Sequence, residues 1–455
     1  VSAFYPDNFK SELKEKADIV QVISQFATLT PMGSNVFGIC PFHNDHSPSM
    51  QIRPDTQTFY CHACGAGSKN HSTVQASDVY GFLKGILNVN MGGAIEWLSS
   101  FLNIPLPPMN PEEAKRENIR SQWVQYCEES GRRFHDRLLE STEGLNYLYN
   151  RGFDINDIKL WNLGLGDDQV YDFRNTKDRI VFSLYDYWGN LVSFTGRVLL
   201  PDNVFKAKND QLKSDNKPTI VKYLDRIGLK KDDPNYANHP YPEFVKGDHL
   251  YGIHIAKDFI RRFGVAIIVE GWTDIIKLHK YGAQHAVATM GVALTLNQVK
   301  LLKRAGAKSA IIMRDGDPAG EAAIQRDSKI LKENGIEPLV LALSPGLDPC
   351  TVCDNFNMVD DSFVRFIERY TIPVNQYRLK RIYQETHDEI VYHQSRISGL
   401  QNERMRKVIE VLSSIEDPVE KDIYVRQASE LFGINYESIQ AHVSHYQEKG
   451  VFMVR

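Results

Sequence analysis

The sequence predicts a multi-domain chain of α+β and α/β class, and three observations carry that reading. Its 455 residues exceed what one ordinary hydrophobic core organises. Pro105, Pro107, Pro108 and Pro111 stand within a few residues of one another, where neither a helix nor a central strand continues. Between residues 262 and 345, short runs apolar on both faces alternate with helix-like stretches, as in a parallel sheet covered on both sides. These features divide the chain into a first unit at 1–104, a Pro-rich linker at 105–112, a mixed α/β unit at 113–261, a parallel-sheet unit at 262–345 and a mostly helical segment at 346–455.

The elements follow in order. Residues 9–29 alternate charge with Leu13, Ile19, Val22, Ile23 and Phe26, the pattern of one amphipathic helix. Residues 57–60 read as a strand, and 94–102 as a helix with Ile95, Leu98 and Phe101 on one face. Residues 122–139 read as helix, 179–185 and 190–199 as strands, and the polar stretch 201–242 as long surface loops. Strands are expected at 265–269, 286–288, 309–313 and 338–343, with helices after the first three of them. Beyond Asp360 the chain reads as wholly helical.

Composition narrows the function classes. At 42% hydrophobic and 24% charged, the chain is globular. No apolar run approaches the roughly 18 residues of a membrane-spanning helix, and the N-terminus lacks a secretory signal. We expect a cytoplasmic chain with no membrane partner. Six cysteines in so long a chain argue against a disulfide framework. Val1 suggests numbering that starts after processing or inside a longer product. A net charge of −4 excludes a global basic footprint, so any nucleic-acid contact must rest on locally concentrated basic residues.

Cys40-Pro-Phe-His43 is followed, after seventeen intervening residues, by Cys61-His-Ala-Cys64. Two close pairs of soft ligands separated by a short loop can close a tetrahedral Zn²⁺ site, as in a zinc ribbon. His46, His62 and His71 compete for the fourth position; His43 is preferred because its offset from Cys40 mirrors that of the second pair. A closed four-ligand site has no open position, so this ion is structural. Cys350-x-x-Cys353 has no second pair nearby and reads as two ordinary thiols.

A second constellation is made of carboxylates. Glu270 follows the first apolar strand, in Glu270-Gly-Trp-Thr-Asp274; Asp315 and Asp317 follow the third; Asp348 follows the fourth. Ligands of open α/β sheets bind outside the carboxyl ends of the strands, so these groups are expected to converge. Hard oxygen donors suit Mg²⁺ or Mn²⁺, with water and phosphate completing the coordination, which is what phosphoryl transfer requires. Gly271, Gly316 and Gly320 are expected to let backbone approach metal and phosphate.

Together these motifs resemble a known family. Glu270-Gly-x-x-Asp274, Asp315-Gly-Asp-x-Ala-Gly320 and Asp348-Pro resemble the Toprim motifs of bacterial primases, topoisomerases and some nucleases, and Cys40-Pro-Phe-His43 with Cys61-x-x-Cys64 resembles the N-terminal zinc module of bacterial-type (DnaG-family) primases. Residues 178–182, 194–198, 222–224 and 245–252 resemble the family's basic segments in the same order, and 415–434 resembles the helical tail of its polymerase core. The resemblance implies a zinc ribbon, a mixed α/β subdomain, a Toprim parallel-sheet subdomain and a helical subdomain. It implies metal binding by Asp315 and Asp317 with Asp348, Glu270 as metal ligand or general base, and Asp274 in support. Arg179, Arg197, Lys222 and Lys246 would line a basic track. The implied reaction is synthesis of short RNA primers from ribonucleoside triphosphates on a single-stranded DNA template, with a replicative helicase as partner. The family's helicase-binding domain needs well over a hundred residues beyond the polymerase core and is not seen before Arg455, which fits either a chain lacking that domain or a shorter primase.

The sequence departs from the family pattern in three places. Cys350 stands where a second Asp is usual, and a thiol is a poor Mg²⁺ ligand. Pro318 replaces an Arg, and Arg314, where an apolar residue is common, is a candidate to restore that charge. A topoisomerase would need a large DNA gate with a catalytic Tyr, and a Toprim nuclease would not carry Cys-Pro-Phe-His. The competing non-catalytic reading is a zinc-plus-Toprim DNA-binding or recombination-mediator protein with a decayed metal site. Cys350 favours it; the five retained carboxylates oppose it.

Overall fold

A computed structural model describes residues 5–68, 74, 76–87, 89, 91–107, 111–225, 245–291, 293–356, 362–392 and 397–449. The expected N-terminal helix is two: α1 (Asp7–Lys16) and α2 (Ile19–Ser24). Ala17 is extended and the Asp18 carboxylate accepts from the Val20 amide, so a new N-cap interrupts the apolar period. An antiparallel sheet follows in sequential order: β1 (Leu29–Met32), β2 (Asn35–Gly38), β3 (Met50–Arg53) and β4 (Thr58–Cys61). Ile52 and Phe59 are cross-strand partners on its buried side, packed with Ile19, Ile23 and Phe82. α3 (Val79–Ile86) and α4 (Met91–Phe101) close this unit. Of the expected linker, 108–110 lie outside the described residues, and Pro111 already opens α5 (Pro111–Glu140), a position that Pro tolerates.

The second region holds α6 (Thr142–Asn150), α7 (Ile155–Leu160) and an antiparallel sheet of β5 (Gly164–Leu165), β6 (Arg179–Tyr185), β7 (Leu191–Val198) and β8 (Tyr223–Asp225). β6 and β7 are buried on both faces: Val181 and Phe194 meet Trp123 and Phe134 of α5, while Ile180 and Phe182 enter the central core. Between β7 and β8 the expectation of loops fails, because α8 spans Asp202–Ser214. None of its side chains is fully buried, and only Phe205 and Leu212 of its apolar residues are half-buried, so the face that would mark it as a helix is thin. Residues 226–244 of that stretch lie outside the described residues.

α9 (Ile253–Phe263) runs through the expected boundary at 261/262. Beyond it come β9 (Val265–Val269), α10 (Trp272–Lys280), β10 (Ala286–Ala288), α11 (Leu296–Ala305), β11 (Ser309–Ile312), α12 (Pro318–Glu333) and β12 (Glu337–Val340). The sheet order is β10-β9-β11-β12-β13, parallel except for β13 (Ile372–Pro373), which lies antiparallel to β12. Ile267, Val269, Ala286 and Ile311 point into a core shared with Phe182, Trp161 and Tyr251; Ala266, Ile268, Val287 and Ile312 point to the other face, against α9 and α11. The second and third regions therefore share one core. α13 (Pro349–Asn355) and α14 (Phe363–Tyr370) join it through Cys353, Phe363 and Ile367. After the short strand β13, α15 (Val374–Tyr392), α16 (Ile397–Ser413), α17 (Pro418–Phe432) and α18 (Tyr436–Lys449) form a bundle with its own core.

Candidate metal centres and catalytic site

The loop after β2 and the end of β4 bring Cys40, His43, Cys61 and Cys64 together, with all four donor atoms within 4.8 Å of one another. Cys40 Sγ lies 3.9 Å from Cys64 Sγ, and Cys61 Sγ lies 4.0 Å from His43 Nδ1. A tetrahedron with bonds of about 2.3 Å has edges of about 3.8 Å, so the donors fit zinc. Among the described residues no other three such groups converge this tightly. Exposed His62 is hydrogen-bonded to Gln51 instead, His46 is also exposed, and His71 lies outside the described residues.

Sequence reasoning missed Asp45. Its carboxylate accepts from the Cys40 amide (2.8 Å) and Ser49 Oγ (2.6 Å), and it stands 3.6 Å from His43 Nε2. It therefore stands beside the outer nitrogen of the histidine whose inner nitrogen faces the thiols, the side from which carboxylates orient the ring in metal sites. The amide and hydroxyl donors hold its carboxyl at about 2.

The carboxylates gather at the ends of β9 and β11, which are neighbours in the sheet. Glu270 follows Val269 directly, and Asp315 lies in the turn after β11. Asp317 caps α12 by accepting from the Gly320 amide (2.7 Å), and Asp348 caps α13 by accepting from Thr351 (2.6 Å). Asp274, in the first turn of α10, accepts from the Gly271 amide (3.0 Å) and is buried. The loop before α13 is laced to the Asp315 turn by Gly316 N to Leu347 O (2.8 Å) and Gly346 N to Gly316 O (2.9 Å). Capping explains three of these aspartates singly. It does not explain Asp315, whose carboxyl is pushed up to about 7 by burial and by the negative charge of Asp274, Glu270, Asp348 and Asp317. A divalent cation would relieve that repulsion, so the donor set fits a hard metal.

Two of the glycines, Gly316 and Gly320, have a packing reason as well. A Cβ on Gly316 would meet Ser344 O at 2.1 Å, and one on Gly320 would meet Asp315 O at 2.1 Å. They let the chain pack on its own backbone and so shape the loop that carries Asp315.

Two expectations about positive charge are corrected. Arg314 cannot replace the charge lost at Pro318. It is buried, hydrogen-bonded through Nε (2.9 Å) and Nη2 (2.5 Å) to Asp327 and through Nη1 (2.9 Å) to Thr289. Arg197 does not line an open track: it is 3% exposed and bonded to Tyr147, Tyr223 and Asp202. Lys222 reaches Asp202 (3.0 Å), Lys246 reaches Asp225 (3.1 Å), and Arg179 is held by the carbonyls of Val221 and Lys222. Cys350 sits against the carboxyl of Asp274, and burial followed by that charge drives its thiol well up.

The comparisons with known proteins agree with this geometry. Residues 5–110 match the CHC2 zinc finger family model and residues 267–353 the Toprim-like model. The DNA primase of Halalkalibacterium halodurans is 27% identical over 454 residues, covering 96% of this chain and 70% of its own. That of Clostridium acetobutylicum is 28% identical over 473 residues, covering 95% and 69%. Together these matches support a bacterial-type DnaG primase. In fold, the Aquifex aeolicus primase structure (zinc-binding and RNA polymerase domains) covers 95% of the chain and 99% of its own, with TM-score 0.50 and 22% identity. The RNA polymerase domain of Mycobacterium tuberculosis primase covers 68% and 99%, with TM-score 0.51 and 19% identity. Residues 403–435 match a third model, the DnaB-helicase binding domain of primase. This revises the expectation for the tail: a helicase-binding signature lies on α16 and α17, within the stretch read as polymerase core only. Among the described residues no helix is long and apolar enough to cross a membrane.

Proposed function

We propose that the chain is a DNA primase, a DNA-directed RNA polymerase that joins ribonucleotides into short primers on single-stranded DNA during replication. The observation that carries this is one chain holding both a four-donor zinc cluster and, at the ends of a parallel sheet, a buried Asp315 that feels the charge of Asp274, Glu270, Asp348 and Asp317. Cys40, His43, Cys61 and Cys64 hold the structural zinc. Asp315, Asp317 and Asp348, with Glu270, hold catalytic Mg²⁺ or Mn²⁺. A metal held there would supply the charge neutralisation needed when a primer 3′-hydroxyl attacks the α-phosphate and pyrophosphate leaves.

The residues divide the work. Glu270 stands at the strand end as general base for the 3′-hydroxyl, or as a further metal ligand. Asp274, buried and tied to Gly271, positions the first turn of α10 and with it Glu270. Asp317 and Asp348 are oriented by their capping bonds. Arg179, Lys222 and Lys246 serve the phosphates of template and nucleotide. The helicase partner docks on the α16–α17 region, and the protein works in the cytoplasm.

The test is to incubate the purified protein with ribonucleotides, Mg²⁺ or Mn²⁺ and a varied pool of single-stranded DNA, beside Asp317→Ala. Template-dependent RNA products lost in the variant are expected. A folded, zinc-loaded protein that gives no product with either metal would favour the decayed-site scaffold, the reading that Cys350 supports.

A further inference from the structure

Glu321 stands in the first turn of α12, and its amide donates to the carbonyl of Asp317, the residue that caps this helix (3.0 Å). Its side chain reaches across to α15 of the helical bundle. There the Tyr377 hydroxyl donates to Glu321 Oε2, and Arg381 Nε stands 3.6 Å from the same oxygen. Arg381 is tied in turn to Glu385 (3.1 Å), one turn on in α15. Burial first, and then the Glu321 carboxylate, push the Tyr377 phenol well above its ordinary range, so it stays a protonated donor.

The donor side of this contact is well anchored. Tyr377 is 5% exposed and shares an apolar cluster with Val374 of its own helix and with Ile324 and Leu331 of α12. Asn375 donates to Glu420 of α17 (3.0 Å), which ties the first turn of α15 to the bundle. Beside the contact lies a cavity of about 250 Å³ between α12, α15 and α16, lined by Glu321, Gln325, Arg378, Arg381, Lys407 and Glu410. On this side the first turn of α12 is therefore held by directed polar bonds to a charged acceptor, which are strong and geometrically specific. Asp317 spends one carboxylate oxygen on capping the helix. Where its other oxygen points depends on where that first turn sits.

We infer that Tyr377, assisted by Arg381, is a positioning residue for the carboxylate centre: through Glu321 it sets the first turn of α12 and so the aim of Asp317. The helical bundle, which supplies none of the five carboxylates, thereby acts on their arrangement. That Asp317 aims at a metal rests on the polymerase reading above; that Tyr377 sets the turn does not.

The test is hydrogen exchange read by mass spectrometry on the full, zinc-loaded chain without added Mg²⁺ or Mn²⁺. Tyr377→Phe removes only the hydroxyl and is expected to speed exchange of the amides at 319–324 by about tenfold. Glu321→Ala should match it, and Glu321→Gln, which keeps an oxygen to accept from Tyr377, should restore most of the protection. Val443→Ala, a change in the bundle core away from the contact, should leave these amides as they are. In parallel, Mn²⁺ titration followed by electron paramagnetic resonance should show affinity about fivefold weaker in Tyr377→Phe. Melting curves accompany each variant; should Tyr377→Phe misfold, the Glu321→Ala and Glu321→Gln pair decides. Unchanged exchange in folded Tyr377→Phe, or equal acceleration in Val443→Ala, would overturn the inference and leave the contact as ordinary packing. A wild type that binds no Mn²⁺ would instead sink the polymerase reading, while the exchange comparison still decides whether Tyr377 sets the turn.

Discussion

The zinc cluster and the carboxylate centre solve opposite problems. The first collects four donors at near-tetrahedral spacing with Asp45 beside the histidine, and it is complete within one small unit. The second spreads its donors over the ends of β9 and β11 and the caps of α12 and α13, and burial together with the charge of its neighbours pushes Asp315 up to about 7. A closed site is satisfied by its ion alone. An open one stays electrostatically unsatisfied until metal and phosphate arrive, and that deficit is what makes it able to do chemistry.

The largest test of this contrast is Asp315→Asn. Primer synthesis should fall on the order of 10³-fold, yet the metal-free protein should become more stable by about 1–2 kcal/mol near neutral pH, since a screened repulsion is removed. The pH dependence has a definite sign. Between about 4 and 7 the folded wild type keeps a proton that the unfolded chain has lost, so its stability falls as pH rises and levels off above about 7. Urea melts at pH 5 and 8 check this; a variant no more stable at pH 8 would break the comparison. Next is Cys61→Ala, expected to empty the zinc site on metal analysis and unfold the N-terminal unit while the parallel-sheet region keeps its melting transition. Retained zinc would exclude Cys61 as ligand.

A third variant probes the support beneath the open site. Asp327→Ala strands buried Arg314, one residue before Asp315, and should cost about 3–5 kcal/mol in urea denaturation. A loss below 1 kcal/mol would show that the pair contributes little. The smallest effect belongs to Asp45→Asn, expected to weaken zinc binding about 10–100-fold in competition with a chelator without abolishing it. An unchanged affinity would leave His43 fixed by packing alone.

The same contrast governs what was legible in the sequence. Cys40, His43, Cys61 and Cys64 are local pairs whose spacing states their geometry. The strands from Val265 to Val340 declare themselves because burial on both faces leaves only apolar residues. What escaped depends on contacts distant in sequence or carries no period. α8 has no fully buried side chain and only a thin apolar face; Arg197 and Arg314 look like surface cations until Asp202 and Asp327 are seen beside them. The boundary at 261/262 fails because a shared core, built by Phe182 and Tyr251 with Trp272, leaves no mark in either segment alone. Asp45 could have been suspected from its place two residues after His43, where a short acidic side chain can turn back on the ligand loop.

The two rims of the parallel sheet have a consequence for how the protein behaves in a crowded solution. At one rim β12 is covered by the antiparallel pair Ile372–Pro373, and proline has no N–H to offer a further strand; at the other, Tyr251 bridges Ala288 of β10. A foreign chain seeking to zip onto the sheet meets an imino acid on one side and an already bonded tyrosine backbone on the other. The most apolar strands of the molecule are thereby guarded against edge-to-edge aggregation.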